Sequence, residues 1–287
     1  MIKEFNLALQ PPILVAAAEG YASAALDASR GDWPGVVEHR DIAFGPGAWQ
    51  QFDLFTPEGA TDADVLIFFH GGGWANGYKE WCGFMAPALA ARGIALAAPT
   101  YRLVPEHRFP VFLQDALQAV AAIVARVEDY GGNPKRVFVA GHSAGGHIAA
   151  MSALRTDLWA EHGLSEGALQ GCLPISGILD LHHPAPPPGS LEERVYLDVL
   201  QSPEDDRDAS PVNWLHQLTM PFAATWGAQD TERVQRSNTA VQQALSGGAQ
   251  PCRCTTFPED HFGTHLMLRD PNHPWYDTFD DMRKGQL

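Results

Sequence analysis

The sequence predicts an α/β fold built on a doubly wound, mostly parallel sheet, and three observations predict it. Short, continuous apolar runs recur at residues 65–69, 94–98, 137–140, 172–175 and 222–226, as expected of strands buried on both faces. Helix-like stretches at 83–92, 111–130, 144–154 and 231–245 alternate with them, and strand alternating with helix builds parallel sheets with helices on both sides. Third, Gly141-His142-Ser143-Ala144-Gly145 lies where the run 137–140 gives way to the helix 144–154. A serine on so tight a strand-to-helix turn, with glycines two residues away on either side, is the nucleophile elbow of the α/β-hydrolase fold.

The remaining elements fall into order around these. Residues 13–28 are alanine-rich and helical in pattern, and 37–44 and 51–55 read as an antiparallel hairpin about Gly45-Pro46-Gly47. Gly93 and Gly131 stand where helix C-caps belong, and Asn133-Pro134 turns the chain into the strand that leads to Ser143. A last strand is expected at 253–257. Residues 181–208 break the rhythm with Pro184, Pro186, Pro187, Pro188 and Pro203 around a charged helical piece at 191–200. That stretch reads as a lid or cap excursion, with a plain surface connection as the alternative. The length suits a single domain over 1–287.

Composition narrows the class. Charged residues are 18% of the chain and hydrophobic ones 45%, the balance of a globular enzyme rather than a disordered chain. With 34 acidic against 19 basic residues and a net charge of −15, neither nucleic acid nor an anionic membrane surface is an expected partner. No apolar run approaches the roughly 20 residues of a membrane span, and Met1–Asn6 lacks the basic and apolar regions of a secretory signal. Cys82, Cys172, Cys252 and Cys254 are scattered apart from the final Cys-x-Cys, so reduced thiols and a cytoplasmic setting are expected. A homodimer is compatible with the sequence, which does not fix the oligomeric state.

His70-Gly71-Gly72-Gly73-Trp74 follows the first buried run. Three consecutive glycines bare backbone N–H groups, and a loop of this kind opposite an elbow forms half of an oxyanion hole. Gly72, Gly73 and Ala144 are the expected donors. A phosphate cradle would need a helix N-terminus or a Lys followed by Ser/Thr, which this loop lacks.

In this fold the triad runs Ser, then Asp or Glu, then His. Asp230 lies just past the strand 222–226 and is the favoured acid; Glu232 competes, but an acid in the first turn of a helix is explained by the helix dipole. His261 and His265 both follow the last strand, and His261, in the charged loop Pro258-Glu259-Asp260-His261-Phe262, is the favoured base. His-x-x-x-His without a following Glu or a third ligand makes no metal site, and His182 and His183 read as lid or surface residues. No metal and no cofactor are expected.

With those residues placed, the chain resembles the kynurenine formamidase (arylformamidase) family of α/β-hydrolases and, more distantly, the hormone-sensitive lipase group. The likeness runs through the segment from Phe44 to Phe55, Phe68-Phe69-His70-Gly71-Gly72-Gly73-Trp74, Tyr101-Arg102-Leu103-Val104-Pro105-Glu106, the elbow with His147, Ser176-Gly177-Ile178-Leu179-Asp180-Leu181, Ala209-Ser210-Pro211, Asp230-Thr231-Glu232 and Asp260-His261-Phe262. His142 and the His261-Phe262 pair are similar to the formamidases; Gly73 and Gly146, where formamidases usually carry an aromatic residue and often alanine, are similar to the lipase group. The resemblance implies hydrolysis of an N-formyl arylamine such as N-formylkynurenine through an acyl-enzyme. A short-chain carboxylesterase is the alternative, and a non-catalytic ligand-binding protein of the same fold a more distant one. The small-molecule acyl amide or ester would sit among aromatic walls, for which Trp74, Tyr78, Trp81 and Phe262 are the candidates.

Overall fold

The computed structural model describes residues 4–13, 15–248 and 250–287. Positions 1–3 and 14, which the signal-peptide and first-helix expectations touch, lie outside the described residues.

Eight strands form one sheet in the order β1-β2-β4-β3-β5-β6-β7-β8. The strands are β1 (Val36–Ala43), β2 (Gln51–Pro57), β3 (Ala63–Phe69), β4 (Ile94–Pro99), β5 (Gly132–His142), β6 (Cys172–Ile175), β7 (Phe222–Gln229) and β8 (Cys252–Asp260). From β4 to β8 every pairing is parallel, while β2 runs antiparallel to both β1 and β4. The expected hairpin is present, with a bulge between His39 and Ile42 where Asp41 takes a positive φ. Arg40 and Lys79 both reach the buried Asp53, at 2.6 and 2.8 Å, which neutralises a carboxylate that could not stand unpaired in the interior.

The helices are α1 (Ala16–Ser29), α2 (Ala86–Ala90), α3 (Val111–Arg126), α4 (Ala144–Leu154), α5 (Leu191–Arg194), α6 (Glu232–Leu245), α7 (Gly263–Leu266) and α8 (Pro274–Arg283). Hydrophobic cores fill both faces of the sheet. Every residue of α4 is buried, as a helix with no polar stripe must be. It packs on β5 and β6, and its glycines let it approach them: a Cβ at Gly146 would stand 2.9 Å from Gly177 Cα, and one at Gly145 would overlap the carbonyl oxygens of Phe69 and His70.

Two elements differ from expectation. The helix expected over 83–92 is a 3₁₀ turn at Gly83–Met85 followed by α2 alone, because Pro87 fits only a first helical turn and so sets the start of the helix. The terminal helix α8 was not anticipated. It opens with Pro274, capped by the His273 side chain, and buries Trp275, Tyr276, Phe279 and Met282.

Within 181–208 the expected helical piece is α5, widening into a π-turn at Val195–Val199, and a 3₁₀ turn follows at Pro203–Asp206. Ser190 caps α5 by accepting from the Glu193 N–H. No helix of the described residues is long and apolar enough to cross a membrane.

Candidate active site

Ser143 sits between the end of β5 and the start of α4 with φ 57° and ψ −119°. Non-glycine residues rarely adopt that conformation. The turn is held by Ser143 N–H donating to Ile175 O and by His147 N–H donating to Ser143 O. The neighbours of this turn must be small, since a Cβ at Gly141 would run into the carbonyl of Gly145.

Three residues from three strand ends meet here. The Ser143 hydroxyl donates to His261 Nε2 at 2.9 Å, and the His261 Nδ1–H donates to Asp230 Oδ1 at 2.7 Å. Asp230 also accepts from the backbone N–H groups of Thr231 at 2.9 Å and Gly227 at 3.3 Å. Burial pushes its carboxyl pKa up, but the bond and charge of His261, the Ser176 hydroxyl and the Gly227 N–H together hold it below the ordinary value. It therefore stays an anion facing the imidazole. The carbonyl of His261 is fixed in turn by the Thr264 hydroxyl at 2.8 Å and His142 Nε2 at 2.7 Å.

The competing residues are engaged elsewhere. Glu232 is exposed in the first turn of α6. His265 is buried, takes the Tyr21 hydroxyl at 2.7 Å on Nδ1 and stacks on His142 and Phe68. His182 pairs with Asp206, and His183 Nδ1 accepts from the Ala185 N–H. Among the described residues no cluster of His, Cys, Asp or Glu fits a metal ion, and all four cysteines are free thiols.

Opposite the serine, Gly72 and Gly73 take φ of 116° and 60°. Neither N–H has a hydrogen-bond partner among the described residues, whereas Gly72 O accepts from both Ala75 and Asn76. Both glycines line the same cavity as Ser143 and His261. Gly72 has no alternative residue, because a Cβ there would overlap Asn76 O, while the space around Gly73 is open.

The cavity encloses about 370 Å³ and is mostly apolar, within the range of small-molecule sites. Trp74, Trp81 and Phe262 line it, but Tyr78 does not. Tyr78 spends its hydroxyl on Ala8 O at 2.6 Å, so it braces the N-terminal segment against Trp81 rather than forming a wall. Two walls carry residues that sequence reasoning missed. From α1 come Ala17, Ala18 and Tyr21, the last stacked on Phe262 with ring centroids 5.1 Å apart; from the 191–199 stretch come Leu191, Arg194, Val195, Asp198 and Val199. Arg233 and Val234 of α6 complete that side.

Sheet order, elbow and flanking loops are those of an α/β-hydrolase. Solved structures agree on the fold: a truncated carbohydrate esterase from gut microbiota superposes with TM-score 0.73 at 17% identity, covering 87% of this chain and 96% of that one, and a thermophilic carboxylesterase from a metagenomic library with TM-score 0.71 at 18%, covering 96% and 100%. The chain belongs to the BD-FAE family, matched over residues 52–244, and to the arylformamidase-like α/β-hydrolases. Kynurenine formamidase of Danio rerio is 30% identical over 240 residues, 81% of this chain and 78% of that one. Esterase LipC of Mycobacterium tuberculosis is 31% identical over 207 residues, and isoprenylcysteine alpha-carbonyl methylesterase of Arabidopsis thaliana 34% over 116. The chain spans only 51% and 27% of the lengths of these last two.

Proposed function

We propose that this chain is a serine hydrolase that removes a small acyl group, formyl in the leading reading, from an aryl amide such as N-formylkynurenine, in a cytoplasmic setting. The observation that carries the chemistry is the continuous chain Ser143 Oγ, His261 and Asp230 at 2.9 and 2.7 Å, facing two uncommitted glycine amides across an apolar cavity.

The steps follow from that geometry. His261 Nε2 takes the Ser143 proton as Oγ attacks the acyl carbon, and Asp230 stabilises the imidazolium that forms. The carbonyl oxygen becomes an oxyanion, received by the N–H groups of Gly72, Gly73 and Ala144. The imidazolium then gives its proton to the departing arylamine nitrogen, the C–N bond breaks, and the acyl-enzyme remains. Water, deprotonated by the same imidazole, attacks that ester, and formate leaves as Ser143 regains its proton. Residues 181–208, which wall the cavity on one side, act in this reading as its cap.

The formamide reading draws support from the coverage of the zebrafish relative and from His142 and Phe262 beside the base. A short-chain carboxylesterase is the second reading, favoured by the likeness to LipC and by the open space at Gly73, where the formamidases are expected to carry a ring. Steady-state kinetics on N-formylkynurenine beside p-nitrophenyl acetate and butyrate separate the two. A kcat/KM at least tenfold higher on the formamide supports the first reading, and the reverse order supports the second. No turnover of any of the three overturns both and leaves a ligand-binding protein.

A further inference from the structure

The charged side chains of the cavity wall do not balance. Arg194 is paired with Asp198 at 3.3 Å, and Arg236, behind the wall, holds Glu192 at 3.1 Å. Arg233 has no carboxylate within ion-pair distance among the described residues. Its Nη1 donates to Leu191 O at 3.1 Å, and its Nε is buried with no partner. Burial and then Arg236 oppose its charge while Glu192 favours it through space, and the half-buried guanidinium lines the cavity with donors to spare. A partly desolvated cation left in that condition favours an anion that completes its hydrogen bonds.

The setting favours an anion for a second reason. Arg233 lies in the first turn of the 14-residue helix α6, whose N-cap, Thr231, makes no side-chain cap bond and also lines the cavity. The positive end of the helix dipole and the free guanidinium donors therefore act on the same space. Three residues upstream, Asp230 holds His261, which ties this cation rigidly to the proposed reacting centre. The protein as a whole is strongly acidic, so a local cation offsets the unfavourable overall field that an anionic substrate meets at this cavity.

We propose that Arg233 is the specificity-determining residue of this cavity, receiving a carboxylate carried on the leaving-group side of the substrate. The inference rests on the acyl-transfer reading of the same site. It makes the preferred substrates anionic aryl amides or esters, bound by a bidentate guanidinium–carboxylate contact.

The test compares N-formylkynurenine with its decarboxylated counterpart, N-formylkynuramine, on the wild type, Arg233→Gln and Arg233→Lys. A charge-assisted hydrogen bond predicts a wild-type preference for the carboxylate of roughly 10- to 100-fold in kcat/KM. In Arg233→Gln that ratio falls toward one through KM, and Arg233→Lys restores part of it. A wild-type ratio near one, or a ratio that survives Arg233→Gln, overturns the proposal. So does an equal loss on both substrates, which would make Arg233 a strap for Leu191 and nothing more. If neither formamide is turned over, the formamide reading fails and phenyl acetates with and without a ring carboxylate test Arg233 in the same way. If no ester is cleaved either, calorimetric binding of benzoate decides: affinity lost in Arg233→Gln supports the carboxylate site, and equal or absent binding sinks it.

Discussion

His142 and His261 are joined by a hydrogen bond of 2.7 Å from an imidazole Nε2–H to a backbone carbonyl. The residue that precedes Ser143 on β5 thus holds the loop that delivers the proposed base from β8, across two intervening strands. The bond fixes the tautomer: a carbonyl only accepts, so His142 Nε2 carries the proton. Burial, then the neighbouring charge of His261, lowers the His142 pKa to about 3, which keeps the His142 ring neutral beside the proposed base.

In the proposed mechanism His142, which also lines the cavity, positions His261 through this bond. His142→Ala is expected to lower kcat by about 10-fold, the worth of one buried hydrogen bond. His142→Gln, which keeps an N–H donor, should recover part of the loss. Equal kcat in the wild type and His142→Ala would show that Thr264 alone holds the loop.

Ser143→Ala should cost on the order of 10⁶ in kcat, as with triad knockouts in other serine hydrolases. The folded state should be nearly unaffected, since alanine carries the same backbone strain at this φ. A variant that keeps a tenth of the activity removes Ser143 from the mechanism. Asp230→Asn should cost about 10⁴, because an amide cannot stabilise the imidazolium and favours the wrong tautomer. Circular dichroism on both variants separates chemistry from misfolding.

Stability should fall in mild acid, and the sign can be derived. Burial lowers the pKa of His70 and His147 to about 4 and that of His142 to about 3, against 6.5 ordinarily. Between about 6.5 and 4 the unfolded chain therefore binds protons that the folded chain does not, so stability is full above pH 6.5 and drains as pH falls through this window. Each histidine adds about 1.4 kcal/mol per pH unit to the slope. Urea unfolding from pH 7 to pH 4.5 measures it, and His147→Gln should flatten the slope by one histidine's share. A stability independent of pH over that range would contradict the buried, neutral state of these rings.

Much of this architecture was legible in the chain. Ser143, Asp230 and His261 could be placed because each follows a buried apolar run, and strand ends of a parallel sheet open on one rim. Helix α8 carries a local signal too, since Pro274 with apolar residues at 275, 276, 279 and 282 is a complete helix signature. Other parts carry no local signal. Tyr21 reaches the cavity from an alanine-rich helix because of tertiary packing alone, and the unpaired state of Arg233 depends on where Asp198 and Glu192 spend their charges. Tyr78 misled for the same reason: its hydroxyl is claimed by Ala8, 70 residues away, and no spacing rule encodes that contact.

The glycines give the sharpest contrast between positions that tolerate a side chain and positions that do not. Gly145 follows the elbow, where a methyl would collide with the carbonyls of Phe69 and His70. These atoms belong to β3 and to the loop that presents Gly72 and Gly73, so the collision would push the proposed oxyanion donors away from Ser143. Gly145→Ala should therefore destabilise the fold by about 2–4 kcal/mol and reduce kcat beyond what the loss of folded protein explains. Gly20, in the middle of α1, is exposed with nothing near its absent Cβ. There the same substitution only removes backbone entropy from the unfolded chain, and Gly20→Ala should stabilise by about 0.5–1 kcal/mol. Because α1 walls the cavity through Tyr21, a stiffer helix should also hold Tyr21 against Phe262. Thermal unfolding of the two variants side by side checks the pair, and a destabilised Gly20→Ala would mean that α1 docks less regularly than its contacts indicate.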